Sequence, residues 1–246
     1  MSAHPAGAPV PGASLPRLLA RLQGREPVQQ HGSPTGLLGE WVDWQRAVAL
    51  SRALDGAPVA ADDAIPADAG ADAEADGALV AECSRVRGLL ADAILDDGRD
   101  WTRPLWPRAG EDPDGAAAGA SAVQRHCQGL QRDLQSATGR LRGELRERLA
   151  CRGAGQARLA AVDAVMEGLL APREHALLAP LVPTLVARFE QLHAAHAGSD
   201  DAAVGSAPWR AAFRAEARQL LLAELDLRFH PIEALLEALQ SPRPDA

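Results

Sequence analysis

Two carboxylates stand one helical turn apart in the segment ARLAAVDAVMEGLL, at Asp163 and Glu167. Side chains at this spacing share a helix face, where two carboxylates can share a proton and tune each other's acidity. The pair is therefore a candidate for acid–base chemistry in a pocket between helices. Arg158 precedes it and Arg173 follows it, which makes a structural ion pair with a neighbouring helix the stronger interpretation.

A second candidate is a metal site at Glu190, His193 and His196, which share one face of a helix. Glu-x-x-His is the spacing of di-iron helical bundles, but those bundles need the motif twice and two further glutamates. The chain has the motif once, so we expect no metal and no other cofactor. A metal- or ligand-binding bundle, or an enzyme that uses Asp163, Glu167 and a late histidine, remains the alternative hypothesis.

Nucleophilic chemistry finds little support in the sequence. His126 and Cys127 are neighbours, but adjacent helical residues point about 100° apart, and Cys127 lies on an apolar seam, where cysteine is usually inert packing. The chain contains no lysine, which excludes lysine Schiff-base catalysis and the phosphate-binding loop that ends in Gly-Lys-Ser/Thr. These absences favour a non-catalytic protein over an enzyme.

The charge distribution argues against a general affinity for nucleic acid. The formal net charge is -8. Seven acids without an intervening base follow the second predicted helix: Asp55, Asp62, Asp63, Asp68, Asp72, Glu74 and Asp76. Binding through helix 121–150, where six arginines outnumber three acids, is a weaker alternative, and we expect no nucleic-acid partner.

The cysteines and the termini bear on location. Cys83, Cys127 and Cys151 are widely spaced and odd in number, which is not typical of a disulfide framework. The N-terminus lacks the basic start and apolar run of a signal peptide, and the longest uncharged apolar run, 176–187, is too short to cross a bilayer. We therefore expect a cytoplasmic protein without direct membrane insertion.

Leucine and alanine at helical spacing predict an all-α, multi-helix bundle of about six or seven helices with a long central helical hairpin. We expect a disordered N-terminus over 1–13, helices over 14–55, an acidic Ala/Asp linker over 56–76, a main bundle over 77–240 and a disordered tail over 241–246. Within the bundle, loops are predicted near 98–117 and 197–207, and the junction Ala171–Pro172 is predicted to separate two helices. The longest helix, about 118–152, carries an apolar seam at Val123, Cys127, Leu130, Leu134, Ala137, Leu141, Leu145 and Leu149.

The last helix contains the segment LLLAELDLRFHPIEALLEAL, 220–239, in which Pro231 favours a kink or a new helix start. On a helical projection one face is apolar and consists of Leu221, Leu225, Phe229, Ile232, Leu236 and Leu239. Before Pro231, the residues Leu220, Leu222 and Leu227 widen the apolar surface beyond this face. Arg228 is a charge near the stripe, and we expect it to be snorkelling or paired. The possible interaction surface therefore comprises Leu220, Leu222, Leu227, Arg228, Trp41 and Trp44.

Four segments together resemble a proteobacterial family known only as domain of unknown function 3348. They are LPRLLARL at 15–22, LGEWVDWQRAVALSRALDG at 38–56, ARLAAVDAVMEGLLAPRE at 157–174 and the 220–239 segment. The resemblance implies no activity, cofactor or catalytic residue. It does imply a possible envelope-associated membrane partner, because genes of this family lie beside predicted OmpA-like and motor-stator-like proteins.

The leading hypothesis is a non-catalytic helical interaction or scaffold protein, which binds a partner protein or a second copy of itself. Three features favour it: the Leu/Ala-rich seams, the acidic linker between helical segments and the lack of a recognisable catalytic set. If the family resemblance holds, the protein is a cytoplasmic accessory of an envelope assembly.

Overall fold

The computed structural model describes residues 14–24, 42–55, 69–96, 98, 100–103, 115–197 and 207–241. Within these ranges the chain forms α-helices and no strand, which confirms the predicted all-α, multi-helix fold. The described helices are α1 (Ser14–Leu22), α2 (Trp44–Asp55), α3 (Ala69–Leu95), α4 (Ala116–Ala150), α5 (Ala154–Leu178), α6 (Leu181–Ala197) and α7 (Ala207–Gln240). The predicted disorder of 1–13 and of 242–246 lies outside the described residues.

The starts of α2 and α3 differ from the predicted boundaries. In α2, Asp43 Oδ1 accepts a hydrogen bond of 2.8 Å from the backbone N–H of Arg46, as an N-cap does. Residues 42 and 43 are consequently not helical, although they lie in the stretch 14–55 for which helices are predicted, and Trp41 lies outside the described residues. Helix α3 begins at Ala69, so residues 69–76 of the expected linker are helical.

The predicted helix break at Ala171–Pro172 is wrong, because α5 continues through Pro172 to Leu178. A proline inside a helix removes one hydrogen bond, but Leu169 and Leu178, on either side of it, are both buried. Their packing holds the helix together across the proline. The break comes instead at Pro180, whose carbonyl accepts the N–H of Thr184 at the start of α6.

Pro231 likewise lies inside a helix, because α7 is continuous from Ala207 to Gln240. Phe229 and Ile232 flank the proline and are buried. The predicted apolar face of this helix is buried at Leu221, Leu225, Phe229, Ile232 and Leu239, and half-buried at Leu236. The face therefore forms part of the core on both sides of Pro231.

The chain divides into two compact units, each built from three stretches: 1–27, 89–134 and 177–227 in unit 1, and 28–88, 135–176 and 228–246 in unit 2. In unit 1, α1 lies against α6, and Gln23 Nε2 donates a hydrogen bond of 2.9 Å to Thr184 Oγ1. The largest buried side chains of unit 1 include Leu15, Ile94, Leu134, Leu181, Leu185, Phe189 and Phe213. Those of unit 2 include Leu141, Leu145, Leu149, Leu169 and Phe229.

Seven of the eight residues of the predicted α4 seam are buried, and Ala137 is half-buried. In the part of the chain that the structure describes, no helix combines the length and the apolar character needed to cross a bilayer.

Candidate functional site

The carboxylate pair predicted from the sequence lies in unit 2, where two arginines of α4 bind it. Arg142 donates to both oxygens of Asp163, at 2.7 and 2.8 Å, and Arg146 donates to Glu167 at 2.5 Å. Each arginine also approaches the other acid, at 3.5 Å. The side chains of Arg142 and Asp163 are only 12% and 14% exposed.

This geometry fixes the charge of the cluster. Burial alone would lower the pKa of Arg142, but the hydrogen bond and charge of Asp163, with the charge of Glu167, raise it above its ordinary value. A forked guanidinium that meets a carboxylate through two hydrogen bonds favours the ionised form of both groups. The cluster therefore has the arrangement of a structural ion-pair network that links α4 to α5.

The same kind of pair recurs at the other helix contacts of unit 2. Arg140 and Arg148 join α4 to α3, Arg228 joins α7 to α5, and Arg87 joins α3 to α7. The pairs are Arg140–Glu82 at 3.4 Å, Arg148–Asp72 at 2.8 Å, Arg148–Asp76 at 2.5 Å, Arg228–Glu174 at 2.8 Å and Arg87–Glu233. Together with the α4–α5 cluster they form a closed circuit, α3–α4–α5–α7–α3, which we call the arginine ring.

The ring accounts for two features of the sequence. Arg228, the charge near the apolar stripe of the last helix, is paired with Glu174. In helix 121–150, four of the six arginines are bound to acids of this chain, namely Arg140, Arg142, Arg146 and Arg148. These arginines already have carboxylate partners, so the geometry adds no support to the nucleic-acid alternative.

The histidine and cysteine candidates lie apart from one another. Among the described residues no three His, Cys, Asp or Glu side chains converge as a metal site would require. The rings of His193 and His196 lie near Trp209 instead, with centroids 5.8 and 6.0 Å away. Cys127 is buried, and burial raises the pKa of its thiol to about 12.

The sequence does not predict the aromatic cluster of unit 1. Trp101, which lies in the predicted loop near 98–117, is buried and stacks on His126 with ring centroids 4.5 Å apart. Phe189, Trp209 and Phe213 pack beside one another. Trp106, the other tryptophan of the predicted loop, lies outside the described residues.

A buried cation completes this cluster. Arg210 is 3% exposed and lies over the rings of Phe189 and Trp209, at 6.0 and 5.0 Å from their centroids. Its Nη1 donates to the hydroxyl and the carbonyl of Thr102, at 3.1 and 3.3 Å. The arrangement anchors the loop that contains Thr102 to α7. In the sequence, the neighbouring Trp209 and Arg210 could have indicated this cation–aromatic cluster.

Unit 1 also contains an open groove of about 370 Å³. Its lining residues are Gln124, Gln128, Gln131, Ala179, Val182, Pro183 and Val186. Gln131 donates to the buried carboxylate of Glu224 at 3.0 Å. The lining offers packing surface and amide groups but no charged or nucleophilic side chain.

The predicted interaction residues differ in exposure. Leu220 is buried, Leu222, Leu227 and Arg228 are half-buried, and Trp44 is 82% exposed. Trp44 opens α2, a helix in which no residue is buried. At about 100° per residue, Trp44, Val48 and Leu54 lie within roughly 120° of one another around the helix axis, and we call them the α2 surface.

Comparison with known proteins provides a family. The profile of a family described as protein of unknown function (DUF3348) matches residues 1–241. No curated protein and no solved structure matches the chain.

Proposed function

Since the chain belongs to this family of proteins of unknown function, its role must be inferred from its own residues, and we propose that it is a non-catalytic helical interaction protein. Its α2 surface binds a second polypeptide chain. The supporting observation is that a 12-residue helix with a tryptophan, a valine and two leucines has no buried residue. Folding leaves Trp44 82% and Leu54 49% exposed, whereas Val48 and Leu50 are half-buried.

Trp44 is the centre of the proposed contact. Tryptophan is enriched at the energetic centres of protein interfaces, because one side chain removes a large apolar area from water. A side chain of roughly 200 Å² that is 82% exposed leaves about 160 Å² to bury, equivalent to about 4 kcal/mol at ~25 cal/mol per Å². Val48 and Leu54, on the same side of α2, extend the surface as an amphipathic helix does in a partner's groove.

The partner is another protein chain or a second copy of this one. The family resemblance favours a component of an envelope assembly of the OmpA or motor-stator-like type, with this protein on the cytoplasmic side. Co-purification of the partner with the membrane fraction is the expected result in that case.

Affinity purification of the full chain from its native cells tests the proposal, with Trp44→Ala as the variant and Gln45→Ala as the matched control. Gln45 is the exposed neighbour of Trp44 and points about 100° away from it. We expect wild type and Gln45→Ala to retain a stoichiometric partner, or the same dimer mass by light scattering, and Trp44→Ala to lose it. Equal recovery with both variants, or a monomer without a partner in all three samples, would refute the proposal.

Stability measurements separate lost binding from lost folding. Because Trp44 is 82% exposed, Trp44→Ala should leave the midpoint of thermal unfolding of the purified chain unchanged within about 1 °C. A large drop in that midpoint would show that Trp44 belongs to the core of the protein and would count against the α2 surface.

A further inference from the structure

The first turns of α3 contain no fully buried side chain after residue 71. From Asp72 to Glu82 the apolar residues Leu79 and Val80 are half-buried, and the first buried side chain after Asp72 is Cys83. An isolated helical segment of this length is marginal in water. From Asp72 to Ala78 only Asp72 and Asp76 are not exposed, so polar contacts must hold this end of α3. We call residues 72–82 the α3 clasp.

Ion pairs with α4 supply the attachment. Asp72 accepts a hydrogen bond of 2.8 Å from Arg148, and Asp76 accepts bonds of 2.5 Å from both Arg148 and Arg152. Glu82 meets Arg140 at 3.4 Å. The earliest acid of the clasp pairs near the end of α4 and the latest acid pairs nearer its middle, so the two segments run antiparallel.

The arginines form a preorganised receptor for carboxylates. Arg148 and Arg152 are one turn apart on α4, and their side chains are 21% and 16% exposed while the clasp is in place. Hydrogen bonds to Asp76 and Asp72 raise the pKa of Arg148, so its charge is constant. A second hydrogen bond, of 3.1 Å, joins Arg152 to the carbonyl of Leu239, so this side chain also has a partner outside the clasp.

We propose that Arg148 and Arg152 are a docking site for an acidic helical segment of a partner protein, and that the α3 clasp is an internal competitor for it. The carboxylate spacing of the clasp itself defines the ligand: two acids one helical turn apart, with a third acid further along. The acid–arginine pairs are charge-assisted and partly exposed, so salt weakens the clasp. Binding of the partner segment requires its release.

Hydrogen exchange of the wild-type chain tests the release step. When NaCl is raised from about 0.05 M to about 1 M, the Debye length falls from more than 10 Å to about 3 Å. We expect amides 72–80 to exchange at least ~10-fold faster, while the protected amides of 85–94 change little. Equal salt response of the two stretches would overturn the proposal.

Peptide binding tests the docking site. The probe is a fluorescein-labelled peptide with the sequence of residues 69–82, titrated into the full chain and followed by anisotropy. We expect the Asp72→Asn/Asp76→Asn variant to bind it at least ~10-fold more tightly than wild type does. Adding Arg148→Ala to that variant should abolish the gain.

Glu74→Gln is the matched control, because Glu74 lies between the two clasp acids and is exposed. It removes one negative charge from the same turn of α3, so it should bind the peptide as wild type does. Equal gains in Glu74→Gln and in the Asp72/Asp76 variant, or no gain in either, would overturn the proposal. Light scattering separates a partner protein from a second copy of this chain. If wild type is a dimer and Asp72→Asn/Asp76→Asn is a monomer, the arginines bind the clasp of a second copy, and the proposal of a partner protein is overturned.

Discussion

Asp163→Ala should destabilise the protein strongly, because it removes the main partner of a mostly buried arginine. Arg142 loses two hydrogen bonds, of 2.7 and 2.8 Å, and keeps the opposite charges of Glu167, at 3.5 Å, and of Glu174. Breaking a buried ion pair from one side costs about 3–5 kcal/mol. Glu167 compensates in part, so we expect about 2–3 kcal/mol and a fall of about 4–12 °C in the melting temperature.

Urea unfolding followed by circular dichroism measures this cost, with Glu167→Ala as the comparison. Glu167 is 36% exposed, so its loss should cost about 1 kcal/mol or less. The double variant Asp163→Ala/Arg142→Met removes both charges of the pair and should recover much of the stability lost in Asp163→Ala, because neither partner then remains unpaired. If the carboxylate pair served a function at the expense of stability, Asp163→Ala would instead raise the free energy of unfolding. If Asp163→Ala is as stable as wild type, the ion-pair interpretation is wrong.

Three other perturbations test the fold. A Cβ at Gly119 would lie 2.4 Å from the Cζ atom of buried Phe189, so Gly119→Ala should cost about 1–3 kcal/mol in urea unfolding, whereas Gly129→Ala, with open space around it, should be neutral or stabilising. Of the three thiols only Cys151 is exposed, so a native-state assay with a thiol reagent should titrate one equivalent rapidly, and unfolding should release the other two. Hydrogen bonds from Arg85, on α3, and from Arg140, on α4, hold the pKa of Glu82 below its ordinary 4.5. Its stabilising effect is therefore complete above about pH 4.5 and is lost as the pH falls through the lower folded-state pKa, so Glu82→Gln should reduce the loss of urea midpoint between about pH 7 and about pH 3.

Local patterns in the sequence predict the helices well. Apolar residues at helical spacing locate the seam of α4, and the loop predicted near 197–207 ends where α7 begins, at Ala207. Both signals lie within a few residues of the structure that they predict. The predicted apolar face of α7 is correct for the same reason, because helical periodicity alone determines which side chains lie together.

Features that depend on partners far away along the chain could not be predicted from local sequence patterns. The acids of 69–76 indicate a solvated linker until Arg148, 76 residues beyond Asp72, is placed beside them. Arg210 is buried only because Thr102, 108 residues upstream, accepts its hydrogen bonds. Pro172 shows the same limit, since long-range packing on both sides outweighs its local cost to the helix.

The arginine ring predicts that certain pairs of positions covary among members of the family. Removal of one member of a partly buried pair costs more than removal of both, so the paired positions are expected to change together among relatives. The prediction applies to the pairs whose side chains are mostly shielded from water, so positions 142 and 163, 76 and 148, and 174 and 228 should covary. The exposed pairs 82 and 140 and 87 and 233 should change independently. An alignment of the family would then record that α4 lies beside α5 and α3, and that α7 lies beside α5.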